Sequence, residues 1–430
     1  MTRILAREIG RYRWLVCALL FFATSINYID RQILSLLKPI LDKELGWTNA
    51  EFGAVNAAFQ GAYAVGLLLF GALIDRVGAK KGYAISIAAW SLAALSHAFA
   101  GTVAGFTNAR MALGLGEGGN FPSAIKAVAT WFPRRERAFA TALFNSGANV
   151  GAILAPAVVP WVALTWGWQA AFVLAGVAGL VWLLFWLPFY DAPENIERLD
   201  PAELAHIRSD AAVGAVEAPV ERVGWLAILQ QRQAWSFIVA KFLTDPVWWF
   251  FLIWLPDYFK KTRGLDLKQS WLHLVSIYSI VTVLSIVGGW IPSALVRRGV
   301  AIGRARKLAM LFFACLVLPV FGVTQVDVWP AVFLIGLAGA AHQAWSANLF
   351  TSVSDMFPKG AVASVVGVGG MAGSIGGMLF PIYAGKLLDS FTKANNVTAG
   401  YAVLFSICGT AYLLAFALNH MLAPKFESLK

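Results

Sequence analysis

Four ionisable side chains stand where the surrounding sequence is apolar: Asp30 and Arg31 in Asn27-Tyr28-Ile29-Asp30-Arg31, and Arg110 and Glu117 in the run from Ala109 to Gly119. Insertion scales put a charge at the centre of a membrane helix at roughly 2.5 to 3.5 kcal/mol, so each needs a partner or a watery cavity. Their charges sum to zero. One arginine and one carboxylate would suffice for a fixed lock that holds helices together. Two of each allow protonation to exchange the partners, which is the chemistry of proton-driven carriers. Arg110 and Glu117 are seven apart, hence two turns apart on one helix face, with Gly114 leaving space between them. Asp30 and Arg31 diverge by about 100°, so one can face a protein partner while the other faces a central space.

Other polar groups in apolar runs are candidates for binding rather than proton transfer. Asn145 and Asn149 share one helix face at i and i+4, where they either line a site or hydrogen-bond between helices. His342, Trp345 and Asn348 are spaced by three, so Trp345 could stack on an apolar face of a ligand while His342 and Asn348 bond its hydroxyls; a packing role for His342 is the competing reading. Lys241 and Asp245 form a self-neutralising i, i+4 pair and read as structural. Lys126 reads as snorkelling toward the helix end, and Trp248, Trp249 and Trp254 as lining or belt aromatics. Cys17, Cys315 and Cys408 show no paired spacing, and no metal site is expected. With neither a phosphate-cradling P-loop nor GxSxG in the chain, an ATP-driven pump and a lipase are both disfavoured.

The elements that must position these groups follow from composition. The chain of 430 residues is 59% hydrophobic and 13% charged, with mean hydropathy +0.67, the signature of an integral membrane protein. Twelve apolar runs, each near the roughly 20 residues needed to cross a bilayer, are centred near Phe21, Val65, Ala89, Leu115, Ala152, Leu180, Phe250, Ile280, Val317, Ala338, Gly373 and Ala411. The fold class is therefore all-α, with no room left for a soluble catalytic domain. Of the 34 Lys and Arg, 22 fall on the side of the two termini, 8 on the other and four inside spans, which predicts cytoplasmic termini. The same spread argues against nucleic acid as a partner.

Residues 1–190 and 233–430 read as two six-helix bundles joined by a cytoplasmic linker over 191–232. In the linker, Asp200 suits an N-cap, Pro201 the first helical position and Glu203 a capping box, with Gly214 ending a short helix. Sliding the halves by 225 residues lays Phe132-Pro133 on Phe357-Pro358, Gly151 on Gly376, Pro156 on Pro381 and Gly114 on Gly339. A parallel repeat of six spans is the plan of transporters that rock two bundles about a midplane site.

The loop from Gly71 through Asp75-Arg76, Gly78 and Lys80-Lys81 resembles the GxxxDRxGxKK signature of the major facilitator superfamily; the second copy, Arg297 to Lys307, is basic and is expected to have no acidic partner, as if degraded. "NYIDR", the run from Gly114 to Pro156, "KFLTDPVWWFFLIWLP" from Lys241 and "HQAWSANLFTSVSDMFP" from His342 resemble the anion:cation symporter family, and within it the hexuronate and sugar-acid permeases. The resemblance covers essentially the whole chain. It implies proton coupling through Asp30 and Glu117, with protons rather than a bound cofactor supplying the drive. It also implies that Arg31 takes the substrate carboxylate and that Tyr63 contacts substrate. Arg110 is expected to hold Glu117 or Asp30 beside that site.

The function expected is uptake of a small organic anion, foremost a hexuronate or other sugar acid, by a monomer in a bacterial inner membrane. No enzymatic activity is expected. Another monocarboxylate or an aromatic acid is the alternative substrate. An exporter would find Arg31 a poor choice for cationic drugs, and a non-transporting receptor would need a signalling domain.

Overall fold

The structure, a computed structural model, describes residues 10–209, 225–357 and 359–426. Its helices are α1 Tyr12–Leu45, α2 Asn49–His97, α3 Val103–Glu117, α4 Asn120–Trp131, α5 Arg134–Trp166, α6 Trp168–Phe189, α7 Pro201–Ile207, α8 Trp225–Leu229, α9 Arg232–Arg263, α10 Leu267–Arg297, α11 Ile302–Val317, α12 Val328–Met356, α13 Lys359–Lys393 and α14 Val397–Leu422. Among the described residues there is no strand.

The twelve expected spans map onto these helices with instructive departures. Among the described residues, nine helices are long and apolar enough to cross a membrane. One of them, α2, has 49 residues, about 73 Å at 1.5 Å per residue, more than twice the thickness of a bilayer core. It holds the second and third spans, joined at Gly78, whose φ of 82° and ψ of 166° only glycine adopts without strain. The fourth span is not continuous: α3 and α4 meet at Gly118-Gly119, where no side chain favours helix. The ninth closes with a 3-10 turn, Leu318–Gly322, so its centre lies earlier than Val317. The tenth is α12, whose apolar run is diluted by His342, Gln343 and Asn348.

The linker departs further from expectation. Asp200 does cap α7, accepting from Ala202 N at 2.8 Å, and Pro201 takes the first position. The helix stops at Ile207, and Gly214 lies outside the described residues. Glu203 does not close a capping box. Its carboxylate instead accepts the backbone N–H groups of Tyr12 and Arg13 at 3.0 Å each and the Arg13 guanidinium at 3.1 Å. The linker thereby caps the start of α1, where orphan amides and the helix dipole favour an anion.

Arg13 also reaches Glu136 at 3.0 Å, and Glu136 bonds His206 at 2.7 Å. Burial works to raise the Glu136 carboxyl, but the hydrogen bonds from His206 and Arg13 hold it below its ordinary value. At the same end Asp75 meets Lys126 at 3.1 Å, and Lys126 also donates to Ile74 O at 2.8 Å. The second-half basic segment does have an acidic partner, supplied by α12: Arg306 pairs with Asp355 at 2.5 Å. The signs are exchanged between the halves, which is why the second copy of the loop reads as purely basic.

Helices α1 to α6 pack mainly on one another, as do α9 to α14; across the divide α1 meets α9, α2 meets α13 and α5 meets α10. Under the 225-residue repeat, α1 corresponds to α9, the first part of α2 to α10, and α5 to α13. The cross-contacts therefore map onto each other, as a pseudo-two-fold axis between parallel repeats requires. At the far end, remote from the start of α1, Ile33, Leu37, Phe52, Val55 and Val159 belong to one apolar core with Phe250, Trp254 and Leu255 of the second half. At the near end, Val16, Leu20, Tyr83, Trp131 and Trp186 make a separate core confined to the first half. Among the described residues, the apolar core that joins the halves lies at the far end.

Candidate functional site

Arg31 leaves α1 beside the break between α3 and α4, and its Nε donates to Glu117 Oε2 at 2.7 Å. The Glu117 side chain is fully buried at the last residue of α3. Four aromatic rings surround the guanidinium carbon: Tyr63 at 4.5 Å, Tyr28 at 5.2 Å, Phe59 at 5.5 Å and Trp249 at 5.6 Å. The first three belong to α1 and α2, while Trp249 comes from α9 across the interface. A cation over ring faces is attracted by the quadrupole and shielded from water, which strengthens whatever anion it holds.

Arg110 does not pair with either carboxylate. Its terminal nitrogen donates to the backbone carbonyl of Arg31 at 3.1 Å, and its guanidinium lies 5.4 Å from the Phe59 ring. The reason is the packing of α3 on α2. A Cβ on Gly114 would fall 2.4 Å from Phe59 O, so the glycine admits the backbone of α2 rather than open space between Arg110 and Glu117. Asp30 is 2% exposed, and neither of its oxygens has a hydrogen-bond partner among the described residues. A buried carboxylate in that condition must be supplied with a proton or a cation.

The remaining candidates are dispersed. Tyr63 joins the Arg31 cluster. Asn145 is exposed on α5 and Asn149 partly so, neither with a hydrogen bond among the described residues. His342 lies inside the second half, with Nδ1 2.6 Å from Tyr412 Oη and its ring stacked on Trp248 at 5.5 Å. Trp345 is fully buried, edge-on to Tyr412 at 5.7 Å, with no face free for a sugar in this arrangement. Asn348 bonds Ala344 O at 2.8 Å and lines a near-end cavity of about 500 Å³ with Arg297, Arg306 and Thr351.

A second charged group escaped the sequence reading. At the far end Lys38 of α1 contacts Asp42 at 2.7 Å and Asp257 of α9 at 3.0 Å. Asp257 also receives Tyr401 Oη at 2.5 Å and Lys261 at 3.2 Å, and Lys261 reaches Asn49 of α2 at 2.8 Å. Asp389 of α13 accepts from the backbone N–H groups of Asn49 and Ala50 at 2.9 and 2.8 Å, capping a helix of the opposite half. The signal available in sequence was a pair of four-residue spacings, Lys38 with Asp42 and Asp257 with Lys261. Arg31, Ser35, Lys38 and Asp42 follow one another at steps of four, three and four, so this second charged group, a latch between α1 and α9, stands on the same face of α1 as the site.

Comparison with known proteins agrees with this architecture. The chain is 30% identical over 414 residues to the hexuronate transporter of Escherichia coli K12, covering 95% of this chain and 93% of that one. It is 29% identical over 400 residues to the D-galactonate transporter of Escherichia coli O6:H1, with 90% and 91% covered. The crystal structure of a bacterial homolog to the human lysosomal transporter Spinster, inward-facing and occupied, matches with a TM-score of 0.76 at 16% identity, over 96% of this chain and 97% of that one, a likeness of fold. The profile of the Major Facilitator Superfamily matches residues 20–381, and with two helical halves packed about a buried charge cluster, the chain belongs to that superfamily of membrane transporters.

Proposed function

We propose that the chain is a proton-coupled symporter that imports a sugar acid, a hexuronate first among them, acting as a monomer in a bacterial inner membrane with both termini cytoplasmic. The observation that carries this reading is Arg31: a guanidinium held on Glu117 at 2.7 Å, ringed by aromatics from both halves. A carboxylate arriving there finds a charge-assisted donor already desolvated. The names of the two curated relatives, transporters of hexuronate and D-galactonate, support the substrate class.

The cycle follows from which groups share the arginine. With the periplasmic, far end open, protons taken up by Asp30 and Glu117 free Arg31 for the substrate carboxylate. Closure of the latch and of the shared apolar core turns the site toward the cytoplasm. Loss of the protons there returns Arg31 to Glu117, and the anion is displaced. The pairing and the far-end seal seen here correspond to that last step.

The test is uptake of labelled glucuronate and galacturonate into proteoliposomes with and without an inward proton gradient. Accumulation that a protonophore abolishes is expected. Uptake unaffected by the gradient would refute the coupling, and no uptake of either acid would refute the substrate class.

A further inference from the structure

On α9, Trp249, Asp245 and Lys241 are four residues apart in turn, which sets them in one stripe with about 6 Å between steps. Trp249 is the ring from the second half that touches Arg31. Asp245 and Lys241 pair at 2.6 Å, with 17% and 8% of their side-chain surface open. Asp245 lies against Gly373 of α13 and Lys241 beside Phe350 of α12, so the pair sits between helices of the second half. Lys241 Nζ lies 4.5 Å from the ring of Phe350 on α12.

Facing the stripe, α13 is hollowed to fit it. A Cβ on Gly373 would sit 2.1 Å from Asp245 Oδ2, and one on Gly377 2.7 Å from Trp249 Cδ1. The glycines of that helix therefore give room to these two side chains. A carboxylate inside a protein normally has every lone pair accounted for by donors; among the described residues, Asp245 pairs with one cation, Lys241.

A six-carbon sugar acid, with C–C bonds of about 1.5 Å, spans about 6 Å from its carboxylate carbon to the far carbon of an extended chain, and about the same to the far hydroxyl oxygen of a pyranose ring. That is one step of the stripe. A carboxylate on Arg31 beside Trp249 would put that far end one step along the stripe, at the level of Asp245. We infer that Asp245, neutralised by Lys241, is the specificity-determining end of the site: it accepts hydroxyl hydrogen bonds from a monocarboxylate and rejects an aldarate, which carries a second carboxylate there. Like charges brought together without solvent are strongly disfavoured. Lys241 cannot offset this, since it is already bound to Asp245. This inference rests on the sugar-acid reading above and adds a charge rule to it.

The experiment is competition for labelled galacturonate on the purified full-length protein, with unlabelled galacturonate and unlabelled galactarate as competitors. Wild type is expected to bind galacturonate at least about tenfold more tightly than galactarate, the discrimination of one charged contact. Asp245→Asn frees Lys241 to meet the second carboxylate, so the preference should shrink by about tenfold or reverse. The double variant Asp245→Asn with Lys241→Gln removes that cation, and the gain for galactarate should disappear. A structural role for the pair would weaken both ligands alike. Equal affinity of wild type for the two acids, or a ratio unchanged in Asp245→Asn, overturns the inference while leaving the sugar-acid reading standing. Absence of galacturonate binding by wild type instead refutes the sugar-acid reading itself.

Discussion

Asp257→Asn opens the far end without touching Arg31. The carboxylate of Asp257 is 1% exposed and is the acceptor through which Lys38 of α1 is tied to α9 at 3.0 Å. Breaking a buried pair outright costs about 3 to 5 kcal/mol, because one charge is left uncompensated. Here Lys38 keeps Asp42 at 2.7 Å and Asn49 at 3.1 Å, so the loss reduces to one charged hydrogen bond, about 1.5 to 3 kcal/mol. Lys261 loses the same acceptor and keeps Asn49 of α2 at 2.8 Å, while its contact with Asp257 lies within α9 and does not join the halves. The equilibrium should therefore move toward the far-end-open form by about 10- to 150-fold. Ser35→Cys reports this directly, since Ser35 is buried on the face of α1 between Lys38 and Arg31. In a background with Cys17, Cys315 and Cys408 replaced, the rate of alkylation by a membrane-impermeant reagent from the far side should rise by tens of fold in Asp257→Asn. An unchanged rate in a folded variant refutes the latch.

Further outcomes follow from the same geometry. Arg31→Lys keeps the charge and loses the fork, so substrate affinity should fall about 10- to 100-fold in a binding assay with little change in melting temperature. Asp30→Asn and Glu117→Gln should each abolish gradient-driven accumulation in proteoliposomes while exchange persists; wild-type accumulation in either would contradict the coupling roles. Gly53→Val would bring a Cβ to about the 2.2 Å that separates it from Pro381 O, forcing α2 from α13. A loss of about 1 to 3 kcal/mol of far-end closure is expected, read by the Ser35→Cys reporter. Asp191 is held down to about 2, first by its hydrogen bond from Lys80 at 2.8 Å. Its folded value lies below the ordinary 3.8, so the stability it adds is full above that value and is lost as pH falls from 3.8 toward 2. Since both partners are 35% exposed, the effect is at most about 1 kcal/mol, seen as a melting difference from Lys80→Ala that vanishes in that window.

The four intramembrane charges were legible in sequence because insertion energetics make any such residue conspicuous. Their pairing was not. Whether Glu117 meets Arg31 or Arg110 depends on how far α3 rotates against α2, and that is set by the closeness Gly114 permits to Phe59, a contact between distant segments. The far-end latch was hidden for a similar reason: Lys38 and Asp257 each look like a solvated loop charge until α1 and α9 are brought together. The spacing of His342, Trp345 and Asn348 correctly put them on one stretch of helix, but only packing reveals that Tyr412 and Trp248 occupy the first of them. The broken fourth span was written in Gly118-Gly119, where hydropathy alone saw a continuous run.

The seal at the far end joins apolar residues of both halves, including Phe52 against Trp254 at 5.2 Å, in addition to its ion pairs. Opening that end wets this surface, so the transition carries a positive heat-capacity change, and its apolar component fades on cooling. The resting preference of the carrier is consequently a function of temperature: a chilled membrane should hold a larger share of molecules with Arg31 open to the far end.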